Sequence, residues 1–355
     1  MNFRESQFPD KATKVFYPLN YYKYYSEKKI MESKTTYSVV QQSLGKFAEY
    51  RLVNNQNGSY VAVIPEYGAN LNQTAIYTNN ELHEILLGPE SYEKLVSENN
   101  IYYKGSKLLP FPNRINHGNY NFDNKSYHLE TNETARDCSL HGLVFDKPFT
   151  VESTSADDNS AKLVTTYEYD GSNEGYPFKY FVRLAFELKD NGFTCTTLLK
   201  NTDNKDIPIG DGVHPYFKTG SLVDDWIVTL PKCGMLEFDD RFIPTTKVNT
   251  FDELEQGVKF GGRDLNTCFV FNPQENGIIQ MEIQDKAKSL KLTVWQEIGP
   301  NKYNYLQVYT PSDRKSMAIE PMTCAPDAFN NKFGLIILAP QETTEFSWGV
   351  NLSSL

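Results

Sequence analysis

Short runs in which apolar and polar positions alternate, each closed by turn-forming residues, recur along most of the chain. Residues 180–188 give the clearest case. Val182, Leu184, Phe186 and Leu188 fall on one face, with Arg183 and Glu187 on the other, the period-two signature of a half-buried strand. Asn191-Gly192 then turns the chain, and residues 193–200 return as the partner strand. Residues 51–53 and 60–64 flank Asn57-Gly58, a pair that accepts the positive φ angles of a tight hairpin. Similar runs occupy 162–169, 226–230, 277–283, 289–295, 305–309, 334–338 and 344–352, punctuated by Asn, Asp, Gly and Pro.

Helical stripes are scarce, and residues 90–98 form the best short candidate. No linker, charge block or internal repeat divides the chain. The pattern predicts an all-β protein, a large antiparallel β-sandwich with few short helices. Residues 36–355 read as a single domain. Residues 1–35, rich in tyrosine and lysine without clear periodicity, read as an N-terminal arm that packs on the body or is partly disordered.

Composition narrows the partners. Across 355 residues, 45 acidic side chains outweigh 35 basic ones, for a net charge of -10. That sign argues against nucleic acid, anionic membrane and polyanionic substrates, while leaving room for a local basic pocket. The five cysteines are dispersed without a CxxC pair and read as reduced thiols of a cytoplasmic protein, not as a disulfide framework or zinc site. No secretory h-region and no run of about 18 apolar residues is seen, so neither export nor a membrane span is expected.

Two titratable side chains share an unusual setting. His214 follows the apparent strand 206–210 and precedes Pro215; Glu320 lies in the apolar run 317–323 and precedes Pro321. A following proline crowds its neighbour out of the helical region, so each side chain projects from a stiff, extended support. A glutamate in such a run must be paired, hydrogen-bonded or raised in pKa. The two read as an acid and a base aimed into one site, against the alternative of two unrelated strand ends. Arg114, delivered by the proline-rich stretch 108–115, suits sugar hydroxyls or a carboxylate, or is a structural arginine paired with a buried carboxylate. His141 stands beside Gly142, which permits close approach of a backbone or ligand. Gln307, opposite in facing to Leu306 and Val308, contacts a ligand or solvent. No histidine has metal-ligand spacing, so no metal is expected; His83, His117 and His128 read as structural or exposed.

Taken together, Asn113-Arg114-Ile115, Leu140-His141-Gly142, His214-Pro215-Tyr216-Phe217 and Ala318-Ile319-Glu320-Pro321 resemble the aldose 1-epimerase (galactose mutarotase) family. They stand in the family's order over roughly residues 38–352, and 118–120 with 127–129 resembles the strand pair that usually comes after the arginine. The resemblance implies a twisted β-sandwich with a sugar site in an open cleft. By position, it makes His214 the acid that protonates the ring oxygen and Glu320 the base that takes the anomeric proton. Arg114, His141 and Gln307 would contact the sugar. No cofactor is implied, and the expected partner is a small sugar bound by a monomer or homodimer. One position departs from the family: its usual aspartate is Asn266 here, with Asp264 a possible substitute on the same face of an extended segment. The rivals are a hexose-6-phosphate epimerase, drawing on Arg114, Lys104 and Arg136 for the phosphate, and a non-catalytic carbohydrate-binding protein. A glycosidase is disfavoured, since only Asp211 offers a second carboxylate near a candidate residue in sequence.

Overall fold

The computed structural model describes residues 35–272 and 277–355. Of the expected N-terminal arm, residues 1–34 lie outside the described residues. The described chain is mainly β-structure: a five-stranded meander from Tyr37–Leu44 to Glu81–Glu84, a nine-stranded sheet and an eight-stranded sheet, with three small two-stranded ribbons. All named strand pairs are antiparallel.

The nine-stranded sheet is built around the predicted hairpin. Tyr180–Lys189 and Gly192–Asn201 pair in continuous register from Tyr180↔Asn201 to Lys189↔Gly192. Thr343–Ser354 then joins this hairpin to Leu290–Ile298. Val182, Leu184, Phe186 and Leu188 are buried and Arg183 and Glu187 are not, so the alternation read from sequence sets which face meets the core. Those residues share one hydrophobic cluster with Leu52, Val61 and Val63 of the meander and with Phe269, Leu306, Val308 and Ile319 of the eight-stranded sheet. One core between sheets makes the architecture a sandwich, and each such side chain contributes about 1.5–3 kcal/mol by leaving water.

Two boundaries differ from expectation for local reasons. The helix is Tyr92–Tyr102, shifted past 90–98. The Ser91 hydroxyl accepts from the Lys94 N–H and starts it late, and Tyr103 in the left-handed region ends it. The 206–210 run is trimmed to Ile207–Ile209, which pairs with Ile336–Leu338. No helix among the described residues is long and apolar enough to cross a membrane.

The eight-stranded sheet positions the site. On the site side its strands run in the order Asn266–Val270, Tyr305–Tyr309, Met317–Met322, Gly212–Val213 and, at the edge, Lys107–Leu108. Glu320 therefore lies inside a strand and not at a strand end. Pro321 is tolerated there because the neighbour on one side breaks off: Gly212 pairs with Met322 and Tyr216 with Ala318, and the ladder is interrupted between them.

Asp211, the only carboxylate near the candidate pair in sequence, points away from it into the core. It forms an ion pair with Lys107 at 2.6 Å and accepts from the Tyr303 hydroxyl at 2.8 Å, and the Lys107 ammonium also donates to Thr197 at 2.9 Å. This network bolts the strand leading to His214 onto the nine-stranded sheet. Asp211→Ala would leave Lys107 charged and unpaired in the interior, at a cost of about 3–5 kcal/mol. Urea denaturation should show that loss, and a change below about 1 kcal/mol would show that the network does not hold the sheets together.

Candidate functional site

Strand register explains the central contact. The pairs Gly212↔Met322 and Tyr216↔Ala318 bracket a common register in which His214 falls opposite Glu320; on the other side Glu320 pairs directly with Gln307, and Gln307 with Cys268. Directly opposed residues share a face, and Asn266, two residues from Cys268, shares it too. The sheet thus presents His214, Glu320, Gln307 and Asn266 as a row. His214 Nε2 lies 3.4 Å from Glu320 Oε1, and the Gln307 amide donates to Asn266 Oδ1 at 2.9 Å.

These four side chains floor a pocket of about 300 Å³, walled by Arg114, Glu133, Arg136 and His141 on one side and by Tyr216 and Tyr309 on another. A roomier hollow of about 810 Å³ beside Phe47, Tyr67 and Tyr92 has no histidine in its lining. Convergence of titratable groups, not volume, distinguishes the smaller one.

His214 is held from every side. Its N–H donates to the Ser106 carbonyl at 3.0 Å, its carbonyl accepts from the Gly105 N–H at 2.9 Å, and its ring stacks on Tyr216 with centroids 4.9 Å apart. His141 meets that ring edge-on at 5.2 Å. His141 is itself locked to Asn113: the His141 N–H donates to the Asn113 carbonyl at 2.9 Å, and the Asn113 N–H donates to His141 Nδ1 at 3.2 Å. With Nδ1 accepting, the neutral ring carries its proton on Nε2 and is a donor there. Both residues occupy the left-handed region, at φ 57° and 65°, a local strain of the kind that functional sites retain.

Arg114 is paired with a carboxylate, as one of its two readings expects, and also stands in the pocket wall. Its Nε and Nη2 donate to the two oxygens of Glu133 at 2.7 and 2.8 Å, yet it still lines the pocket. Glu133 also accepts from Arg136 Nη1 at 2.8 Å. Glu133 lies in a charged loop without periodicity, so nothing in the sequence singled it out. Asp264 does not substitute for Asn266. The strand begins only at Asn266, so the alternation argument fails, and Asp264 is exposed and outside the lining. Its carboxylate acts at the rim, where burial first and Asp264 second raise the Tyr309 phenol. Lys104 also stands outside the lining, paired with Glu98 at 3.3 Å.

Burial sets the protonation of the row. Desolvation pushes His214 down to about 3 and holds the Glu320 carboxyl well above the usual range, with the Arg114 charge opposing only in part. Desolvation, then His214 and Arg114, hold His141 well below 6.5. Burial alone would raise Glu133, but its hydrogen bonds and charge attraction to Arg114 and Arg136 outweigh that and lower it. Burial therefore disfavours charge on both members of the pair, favouring a neutral imidazole and a protonated carboxyl. His214 Nδ1, Glu320 Oε2 and Gln307 Oε1 are buried without a hydrogen-bond partner, a costly state for polar atoms. The arrangement can bind a polyhydroxylated ligand and move a proton between two of its oxygens.

The family model for aldose 1-epimerase matches residues 51–350. The chain belongs to the aldose 1-epimerase family. Among similar proteins, the uncharacterized Escherichia coli (strain K12) protein YihR is 27% identical over 79% of this chain and 86% of its own. The maltose epimerase of Levilactobacillus brevis is 23% identical over 86% and 94%. The crystal structure of a galactose mutarotase-like protein from Clostridium acetobutylicum superposes with a TM-score of 0.76 at 21% identity, covering 90% of this chain and 99% of that one, which bears out the sandwich fold.

Gly142 carries the backbone of this family member past the site. It sits at φ 75°, and a Cβ there would lie 2.1 Å from the Leu109 carbonyl oxygen. Gly142→Ala should destabilise by more than about 1 kcal/mol, with the loss visible in the unfolding midpoint. An unchanged midpoint would show that the Leu109 backbone gives way freely.

Proposed function

We propose that this protein is an aldose 1-epimerase that interconverts the α and β anomers of a hexose by acid–base ring opening and closure. The observation that carries the reading is the approach of His214 Nε2 to Glu320 Oε1 at 3.4 Å on the floor of a pocket with unpartnered polar atoms. The anomeric hydroxyl and ring oxygen of a pyranose are attached to the same carbon. Two groups this close, one able to take a proton and one able to give it, match that spacing.

In the resting pair burial favours the proton on Glu320. Passing it to His214 leaves a carboxylate and an imidazolium with the same proton count, now matched to the sugar. Glu320 takes the C1 hydroxyl proton while His214 protonates the ring oxygen, the C1–O5 bond opens to the aldehyde, and rotation about C1–C2 exposes the other carbonyl face. Return of both protons closes the ring in the opposite configuration. Arg114 and His141 Nε2–H supply donors to sugar oxygens, and Gln307 Oε1 accepts from a hydroxyl. Atoms and charge balance without any cofactor.

Polarimetry on freshly dissolved α-glucose, α-galactose and maltose tests this, maltose because a relative is named for it. Each positioned acid or base is worth about 10²–10⁴-fold, so Glu320→Gln and His214→Gln should each lower kcat by at least two orders of magnitude. Sugar binding without acceleration over the spontaneous rate would make the protein a carbohydrate binder instead.

The pH profile is a second check. A second proton on the pair requires protonating a histidine whose pKa is pushed down, so the acid limb should lie below 6.5. Losing the single proton means ionising a carboxyl that burial holds up, so the alkaline limb should lie above the ordinary carboxylate range. An acid limb at or above 6.5, or an alkaline limb inside the ordinary carboxylate range, would contradict the buried pair.

A further inference from the structure

The pocket wall opposite the strand floor carries more positive charge than the acid–base reaction uses. Two guanidiniums, Arg114 and Arg136, share one ionised carboxylate, Glu133. Burial disfavours charge on His214, Glu320 and His141 alike. The wall itself thus sets two positive groups against one negative, inside a chain whose total is -10.

The two arginines are not equivalent. Arg114 spends Nε and Nη2 on Glu133 and Nη1 on the Asn113 side chain. Arg136 spends only Nη1 on Glu133, and its guanidinium, like that of Arg114, lies over the Phe242 ring, at 4.8 against 5.3 Å from the centroid. Its side chain is 35% exposed against 12% for Arg114. It is therefore a fixed, partly solvated fork with Nε and Nη2 uncommitted, at the edge of the pocket. A hydroxyl accepts from one such N–H at a time, whereas an oxyanion with two terminal oxygens takes both donors of a planar fork.

We propose that Arg136 is a substrate-binding residue and that the preferred substrate is an aldose bearing an anionic substituent, a carboxylate or a phosphate, away from C1. Arg114 and Glu133 hold the fork in place while the His214–Glu320 pair acts on the anomeric centre. This rests on the proposed epimerase function.

The test compares kcat/KM for anomerisation of glucose with that of glucuronate and glucose 6-phosphate, for the wild type, Arg136→Gln and Arg136→Lys. The wild type should favour at least one charged sugar. A charge-assisted contact is worth roughly 1.5–3 kcal/mol, so Arg136→Gln should lower the charged-to-neutral ratio by about tenfold or more. Arg136→Lys, which keeps the charge without the fork, should recover part of it. Carboxylate and phosphate arms separate which oxyanion fits. Equal wild-type rates on glucose and both charged sugars, or a ratio unchanged in Arg136→Gln, would overturn the inference while leaving the epimerase reading intact. Calorimetric binding of the same sugars supplies the ratio independently of turnover. Acceleration of no aldose at all would remove the epimerase reading, and this inference with it.

Discussion

The site depends on the register of one interrupted strand. Met317–Met322 is paired along one side by Tyr305–Tyr309, but along the other it is met only at its two ends, by Gly212 and Tyr216. That interruption lets Pro321 sit in a central strand, and it frees His214 from the ladder without removing it from register with Glu320. A slip of one residue in any of these pairings would turn Glu320 or Gln307 to the opposite face. The geometry of the candidate site is thus a consequence of pairing that the surrounding core specifies, since Leu306, Val308 and Ile319 on the other face are buried in it.

Burying a histidine and a glutamate side by side is unfavourable unless their charges are suppressed or matched. Here the suppression is mutual: burial drives both toward neutral forms, and the single proton they hold can be redistributed without changing the net charge. The true buried ion pair, Lys107 with Asp211, is kept one layer away, where Tyr303 and Thr197 complete its hydrogen bonding. Had Asp211 faced the pocket, its carboxylate would compete with Glu320 for the proton and raise the cost of the working tautomer. Structural and reactive charges are separated by the pleat of the strand that leads to His214.

The fold was legible because its signal is local. Alternation within 180–188 or 305–309 is a property of consecutive residues and reports directly which face is buried. The candidate pair was legible for a related reason, in that a titratable side chain before a proline in an apolar run is locally anomalous. What the sequence could not supply is lateral. That Glu320 sits between His214 and Gln307, or that Glu133 from an aperiodic loop clamps Arg114, depends on pairings between segments far apart in the chain. Asp264 failed as a stand-in for Asn266 for the same kind of reason, since alternation holds only where the strand has already begun.

Asn266 gains meaning only with the whole pocket in view. The family commonly carries a carboxylate at this place in the row, and read by itself the amide is a weaker acceptor for sugar hydroxyls. Its Oδ1 is moreover already taken by the Gln307 side chain, which leaves Gln307 Oε1 as the acceptor turned toward a ligand. A carboxylate at 266 would place a negative charge on the same floor as Glu320, offsetting the guanidiniums of the wall. An amide removes that charge and keeps the wall of Arg114 and Arg136 electrostatically dominant. Asn266 and the uncommitted fork of Arg136 are both what the proposed recognition of an oxyanion by guanidinium requires.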